Sequence, residues 1–177
     1  TVSRVIGWKR GEFAYDTTPA IFETAEEIDR DFVYDDFTAA NVSKYLIKES
    51  RRDGKILAFL KPCDTYSLNQ LTKEHRVIRD NIHVVGIPGG PKLDIEKIKA
   101  RGITGILGVK NNDYTLEIET LYGTEKMPFY EAISGKCESC KSRKHVTYDE
   151  LMGEEGEIAE SNRFDMVEKL ENMTSQE

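Results

Sequence analysis

Residues Lys55–Ala100, KILAFLKPCDTYSLNQLTKEHRVIRDNIHVVGIPGGPKLDIEKIKA, decide the fold. The opening Lys55–Leu60 is a nearly unbroken apolar run, the pattern of a strand buried on both faces. It runs into Pro62–Cys63–Asp64, where Asp64 can cap a helix through about Val77, with Leu68, Leu71 and His75 along one side. Asn81–Ile87 is a second apolar strand, closed by Pro88–Gly89–Gly90–Pro91, and Asp94 opens a further helix to about Ala100. Strand, helix, strand, helix in so short a span calls for parallel strands joined by right-handed crossovers.

Upstream, Ser3–Trp8 reads as a strand, Asp16–Pro19 as a turn, and Ile21–Glu23 as a brief strand. The charged stretch Glu23–Asp36 reads as solvated surface. Thr38–Ser50 places Val42, Tyr45 and Leu46 at helical spacing, with Thr38 as the cap. Downstream, Ile103–Val109 and Tyr114–Leu121 alternate around Asn111–Asn112–Asp113, a hairpin signature. A helical piece is expected around Glu125–Ile133, and an amphipathic helix over Arg163–Asn172, reached through the acidic, glycine-containing Gly153–Glu160. The expected class is therefore α/β: a mixed sheet with a strand-helix-strand-helix core, a β-hairpin and a C-terminal helical tail. The division expected is an α/β body over residues 1–148 and an acidic helical tail over 149–177.

That division is also one of charge. The chain has 177 residues, 32% of them charged, and a net charge of −7. Asp149–Glu177 holds ten acidic and two basic residues, so the body is left near neutrality. With no basic excess, nucleic acid is not an expected partner. No apolar run approaches the ~20 residues of a membrane span, and the opening residues do not read as a secretion signal. Because the first residue is Thr1, the numbering is expected to begin inside a longer product. Three cysteines, two of them as C-x-x-C, suit a reducing compartment with metal, cluster or redox use, which makes cytoplasm the expected location.

Cys63 lies where a buried strand gives way to a helix, the place where open α/β sheets collect ligands, and a helix N-terminus lowers a thiol's pKa. In Cys137-Glu-Ser-Cys140 the two-residue spacing lets both thiolates reach one metal atom, and Lys136, Lys141, Arg143 and Lys144 favour the thiolate form. Three cysteines can hold three irons of a cubane cluster, or zinc with His145 or His83 as fourth ligand; the soft donor set does not choose between them. Phosphate-loop and dinucleotide glycine fingerprints are missing, and nothing points to Ser/His/Asp catalysis.

The segments VIGWKRG, TTPAIF, KPCDTYSLNQL, EHRVIRDNIHVVGIPGG, KCESC, YDELMG and RFDMVEKLENM, in this order, carry a resemblance. The chain resembles, from about Ser3 to Met173, the beta subunits of hydrogenases and formate dehydrogenases that reduce or use the deazaflavin coenzyme F(420), together with related iron–sulfur electron-transfer subunits of anaerobic metabolism. The resemblance implies an α/β domain holding an iron–sulfur cluster of the 4Fe-4S kind and, in several members, a flavin (FAD). It implies a relay of electrons between a catalytic partner subunit and a soluble carrier, and many members continue into a ferredoxin-like domain. Carried over by position, Cys63, Cys137 and Cys140 are the cluster-ligand candidates. Thr17, Thr18 and Asn41 fall in matching segments and are the candidates beside a flavin. The chain departs from the pattern at Gly89, where the family commonly reads G-I-P-C: one thiolate is missing. A three-iron cluster, a non-cysteine fourth ligand and loss of the cluster are all open on that basis. So is a zinc-stabilised scaffold or docking domain without catalysis.

Overall fold

A computed structural model describes residues 2–112, 114–156 and 164–174. Strand β1 (Val2–Arg10) is followed by β2 (Thr17–Phe22), helix α1 (Ala25–Asp31), the short α2 (Leu46–Glu49), β3 (Lys55–Leu60), α3 (Pro62–Lys73), β4 (Ile82–Gly86) and α4 (Ile95–Lys99). Then come β5 (Ile106–Asn112), β6 (Thr115–Thr120), β7 (Gly123–Pro128), α5 (Gly135–Glu138), β8 (Glu150–Leu151) and α6 (Asp165–Glu171). The strands form a five-stranded sheet in the order β2-β1-β3-β4-β8 and a three-stranded sheet in the order β5-β6-β7. The class is the expected one, α/β with a mixed sheet. β1, β3, β4 and β8 run parallel and only the edge strand β2 is antiparallel.

The apolar run of Lys55–Leu60 is the centre of the larger sheet. Ile56, Ala58 and Leu60 are fully buried, and Leu57 and Phe59 pack partly buried against the same core with Trp8, Leu46, Leu68 and Val84. The smaller sheet has its own core around Ile98, Leu116, Ile118 and Met127. The parallel register Leu60 to Gly86 brings the carboxyl ends of β3 and β4 side by side, so Pro62–Cys63 and Pro88–Gly89 leave the sheet together.

Several expectations are corrected. Thr17–Pro19 is not a turn but the start of β2, with Pro19 opposite Trp8. An outer strand tolerates a residue without an N–H, and the residue before proline is already biased toward extended backbone. Thr38 caps no helix: its hydroxyl accepts from the Asp35 amide (2.9 Å) and donates to the Asp35 carboxylate (3.0 Å), closing a turn. Helical turns begin only at Ser43, although Val42 and Leu46 are fully buried as their spacing implies. Asp64 is not the cap of α3 but its third residue. Lys61 is the capping residue, Pro62 opens the helix, and the Asp64 carboxylate accepts from the Lys61 amide (3.1 Å). That helix ends at Lys73, and His75 lies beyond it with φ +55°. Within Glu23–Asp36, α1 forms through a capping box of Thr24 and Glu27 and buries none of its residues.

The hairpin is present as β5 and β6, with its tip residue Asp113 outside the described residues. The helical piece around Glu125–Ile133 is overturned. Gly123–Pro128 pairs antiparallel with β6, with a Lys126–Glu117 cross-strand ion pair at 2.7 Å; only Phe129–Ala132 coils, as one 3₁₀ turn. Of the expected tail helix, Asp165–Glu171 is helical, while Arg163 and the 157–160 part of the linker lie outside the described residues. No sequence signal announced β8, which the Arg79–Asp149 ion pair (2.9 Å) and the Val84 amide's bond to Asp149 (2.7 Å) hold beside β4.

Candidate functional site

The carboxyl ends of β3 and β4 open into a cavity of about 220 Å³. Cys63 reaches it from the first turn of α3, Gly89 and Lys92 from the segment after β4, and Cys137 and Cys140 from α5 and its exit. All three cysteines of the chain therefore line one space, although 73 residues of sequence lie between the first and the C-x-x-C pair. Lys61, Lys92, Lys136 and Arg143 also line it, and among the described residues no carboxylate does. The wall is cationic and thiol-rich.

Two of those lysines are buried. Lys61 ends its ammonium 3.0 Å from the Asp64 carboxylate, 2.9 Å from the Ala40 carbonyl and 4.0 Å from the centre of the Trp8 ring. Lys92 sits over Tyr34 at 4.1 Å and donates to the Asp35 carbonyl (2.8 Å). The two rings touch, with centroids 5.7 Å apart. Burial presses the Lys92 ammonium below its usual range, helped by repulsion from Lys61 and opposed by Asp36 and Asp35. Burial also raises the Asp64 carboxyl, against the pull of Lys61.

Cys63 does not behave as a helix N-terminus alone would make it. Its side chain is exposed at the cavity, but the protein packed around the thiol penalises the thiolate. With the Asp64 carboxylate alongside, that pushes it up to about 11, against the opposing pull of Lys61. The thiol is protonated at neutral pH, so any metal or cluster that uses it displaces a proton.

No protein-family model matches the chain. It is 29% identical over 102 residues to the F(420)-dependent formate dehydrogenase 1 subunit beta of Methanococcus maripaludis, covering 55% of this chain and 26% of that protein. It is 30% identical over 89 residues to the F(420)-dependent formate dehydrogenase subunit beta of Methanocaldococcus jannaschii, covering 50% and 23%. In fold it matches a chain of the F(420)-reducing NiFe hydrogenase complex of Methanosarcina barkeri with a TM-score of 0.55, at 12% identity, over 78% of this chain and 53% of that one. The chain is a relative of these beta subunits. It spans about a quarter of the length of the curated relatives it matches.

In this relative of the beta subunits, Cys63, Cys137, Cys140 and Gly89 share the cavity. The thiols do not converge: among the described residues no group of three or more His, Cys, Asp or Glu stands at metal-holding distance. The donor set suits an iron–sulfur cluster in chemistry and charge, and closing three thiols on it requires movement of the α5 segment or of the first turn of α3. Neither histidine weighed as a fourth ligand faces the cavity. His83 pairs with Glu150 (2.9 Å). The buried His145 directs Nε2 at the carbonyls of Leu60 (3.2 Å) and Ile87 (3.1 Å). Its amide donates to Glu155 (2.9 Å). His145 is thus a clamp that ties the segment after the C-x-x-C to both strand ends.

Asn41 lines the cavity, donating to Ser67 (3.0 Å) and accepting from the Ser43 amide (2.9 Å). Thr17 and Thr18 do not line it. They lie on β2, where the Thr17 hydroxyl is used on the Phe37 carbonyl (2.7 Å). The three flavin candidates do not form one site. Sequence reasoning missed Lys61 and Lys92. A lysine directly between an apolar strand and Pro-Cys was a weak signal for the first, and nothing marked the second. Among the described residues no helix is long and apolar enough to cross a membrane.

Proposed function

We propose that the chain is an electron-transfer portion of an oxidoreductase subunit, relaying electrons through an iron–sulfur cluster held by Cys63, Cys137 and Cys140. The observation that carries this reading is the meeting of Cys63 with the sequence-distant Cys137–Cys140 pair in one cationic cavity that, among the described residues, no carboxylate lines. The names of the relatives, subunits of F(420)-dependent dehydrogenases, support it. When bound, the cluster supplies one-electron acceptance and release. The cavity walls would exclude water from it, and the lysines would offset its negative charge. His145 would hold the C-x-x-C segment against the strand ends. Among the described residues lining the cavity, no carboxylate or histidine stands as a general acid or base toward a substrate, which suits a relay.

The reading extends to a catalytic dehydrogenase or hydrogenase subunit as electron partner and to a ferredoxin-like domain or protein, reached through the acidic tail of residues 149–177. The test is the iron, zinc and acid-labile sulfide content of anaerobically purified protein, with the visible spectrum of the same sample. Iron with matching sulfide, lost in Cys137→Ser, is expected. Zinc without sulfide would establish the non-catalytic scaffold instead, and neither metal in a protein reconstituted with iron and sulfide would remove the relay.

A further inference from the structure

The two buried lysines of the cavity differ in one respect. An ammonium has three N–H donors. Lys61 uses its three on the Asp64 carboxylate, the Ala40 carbonyl and the face of Trp8. Its charge is cancelled inside the fold. Lys92 has the Asp35 carbonyl and the face of Tyr34, and among the described residues no carboxylate lies within ion-pair distance of it. Asp35 and Asp36 act on it only from farther away. Lys92 is 6% exposed, it lines the cavity, and one N–H is left over.

A buried cation without a counter-ion is costly, so the fold is less stable for keeping it there. A methionine or leucine would fill the same place at less cost. We propose that Lys92 is the internal counter-cation of the cavity's occupant: it selects an anionic group and, resting on the iron–sulfur reading above, raises the reduction potential of the cluster. One-electron reduction adds a negative charge, and a nearby cation stabilises the reduced state more than the oxidised one. Lys61, already neutralised by Asp64, contributes much less.

The test uses the protein reconstituted anaerobically with iron and sulfide. Lys92→Gln keeps a donor for the Asp35 carbonyl and removes the charge, Lys92→Met removes both, Lys92→Arg restores the charge, and Lys48→Met alters an exposed lysine outside the cavity. The midpoint potential is read by a redox titration of the visible spectrum. The stability of the cluster is read by its bleaching rate under an iron chelator. Lys92→Gln is expected to shift the midpoint to a more negative potential and to bleach about tenfold faster, the scale of one lost close charge interaction. Lys92→Arg should recover most of both effects, and Lys48→Met should match the parent. The cofactor-free Lys92→Met should melt no lower than the parent, because it loses a buried charge rather than a packed pair; this measurement stands even where the loaded variant cannot be prepared. Iron and sulfide bound in full, with potential and bleaching unmoved in Lys92→Gln, would overturn the role given to Lys92 while leaving the relay intact. A parent protein that takes up neither iron nor sulfide would overturn the relay and this role with it.

Discussion

Gly89 stands where the family pattern places a cysteine, and its surroundings have closed over the difference. A Cβ built there would lie 2.6 and 2.8 Å from Cδ and Cγ of Pro62, inside van der Waals contact with a rigid ring. Gly89→Cys alone is therefore expected to cost roughly 1–3 kcal/mol through overpacking, seen as a lower denaturation midpoint. Pro62→Ala removes the ring, so the double variant should recover much of the loss, and additive effects in the cycle would refute the clash. Lys61 makes a different kind of prediction. The Lys61–Asp64 pair is buried on both sides, and Lys61→Met strands the carboxylate. Stability should fall by about 3–5 kcal/mol, with Lys61→Met/Asp64→Leu regaining much of it; equal losses in the single and double variants would show that the pair is not the cause. The three cysteines were legible in the sequence because spacing and strand-end position are local properties. The buried lysines were not, because what makes them unusual is a neighbour such as Asp35 or Trp8 supplied by a distant segment.

The elements read correctly are those whose signal is local: an apolar run, a cap or a turn signature. β3 and β4 were visible as apolar runs, and α4 through its Asp94 cap, whose carboxylate accepts from the Glu96 amide (3.0 Å). The failures are elements fixed by tertiary pairing. β7 carries Thr124, Glu125 and Lys126 exposed on an outer strand and becomes a strand by pairing with β6. The two residues of β8 are too few for any periodicity. That short strand yields a pH prediction. Burial works to raise the Asp149 carboxyl, but the Val84 amide and the Arg79 guanidinium outweigh it and hold it below the usual carboxylate range. A depressed native pKa gives stability that is present above the unfolded value, about 3.9, and is lost as pH falls through the native one. Asp149→Asn should lower stability by about 1 kcal/mol near neutrality, discounted for partial exposure. It should also flatten the loss between pH 5 and 3; an unchanged acid limb in urea titrations would assign that loss elsewhere.

At the level of the whole molecule, two cores lie under two sheets, and the cavity draws residues from segments that follow both. Amide exchange should be slowest along Ile56–Leu60 and Val84–Gly86, which sit in the interior of the larger sheet. It should be faster at Met152, just after the outer strand β8, whose amide bonds the Gly86 carbonyl (2.8 Å). Equal protection at both places would mean that β8 opens only with global unfolding. The charge division seen in the sequence does not coincide with the sheet's edge, since Glu150 and Leu151 belong to the acidic segment yet complete the larger sheet.

The placement of β8 has a consequence for how the protein is made. Synthesis proceeds from the N-terminus, so β1 to β4 leave the ribosome long before residues 150 and 151. Through that interval the outer side of β4 is bare, offering unpaired backbone groups to any neighbouring nascent chain. The same interval passes before Cys137 and Cys140 arrive to join Cys63. Chain growth thus delivers the last thiols and then the last strand in quick succession, with His145 between them. Until that final stretch is translated, the early half of the chain has both an unsealed border and an unfinished cysteine set, which makes a stalled or truncated product the form most prone to aggregate.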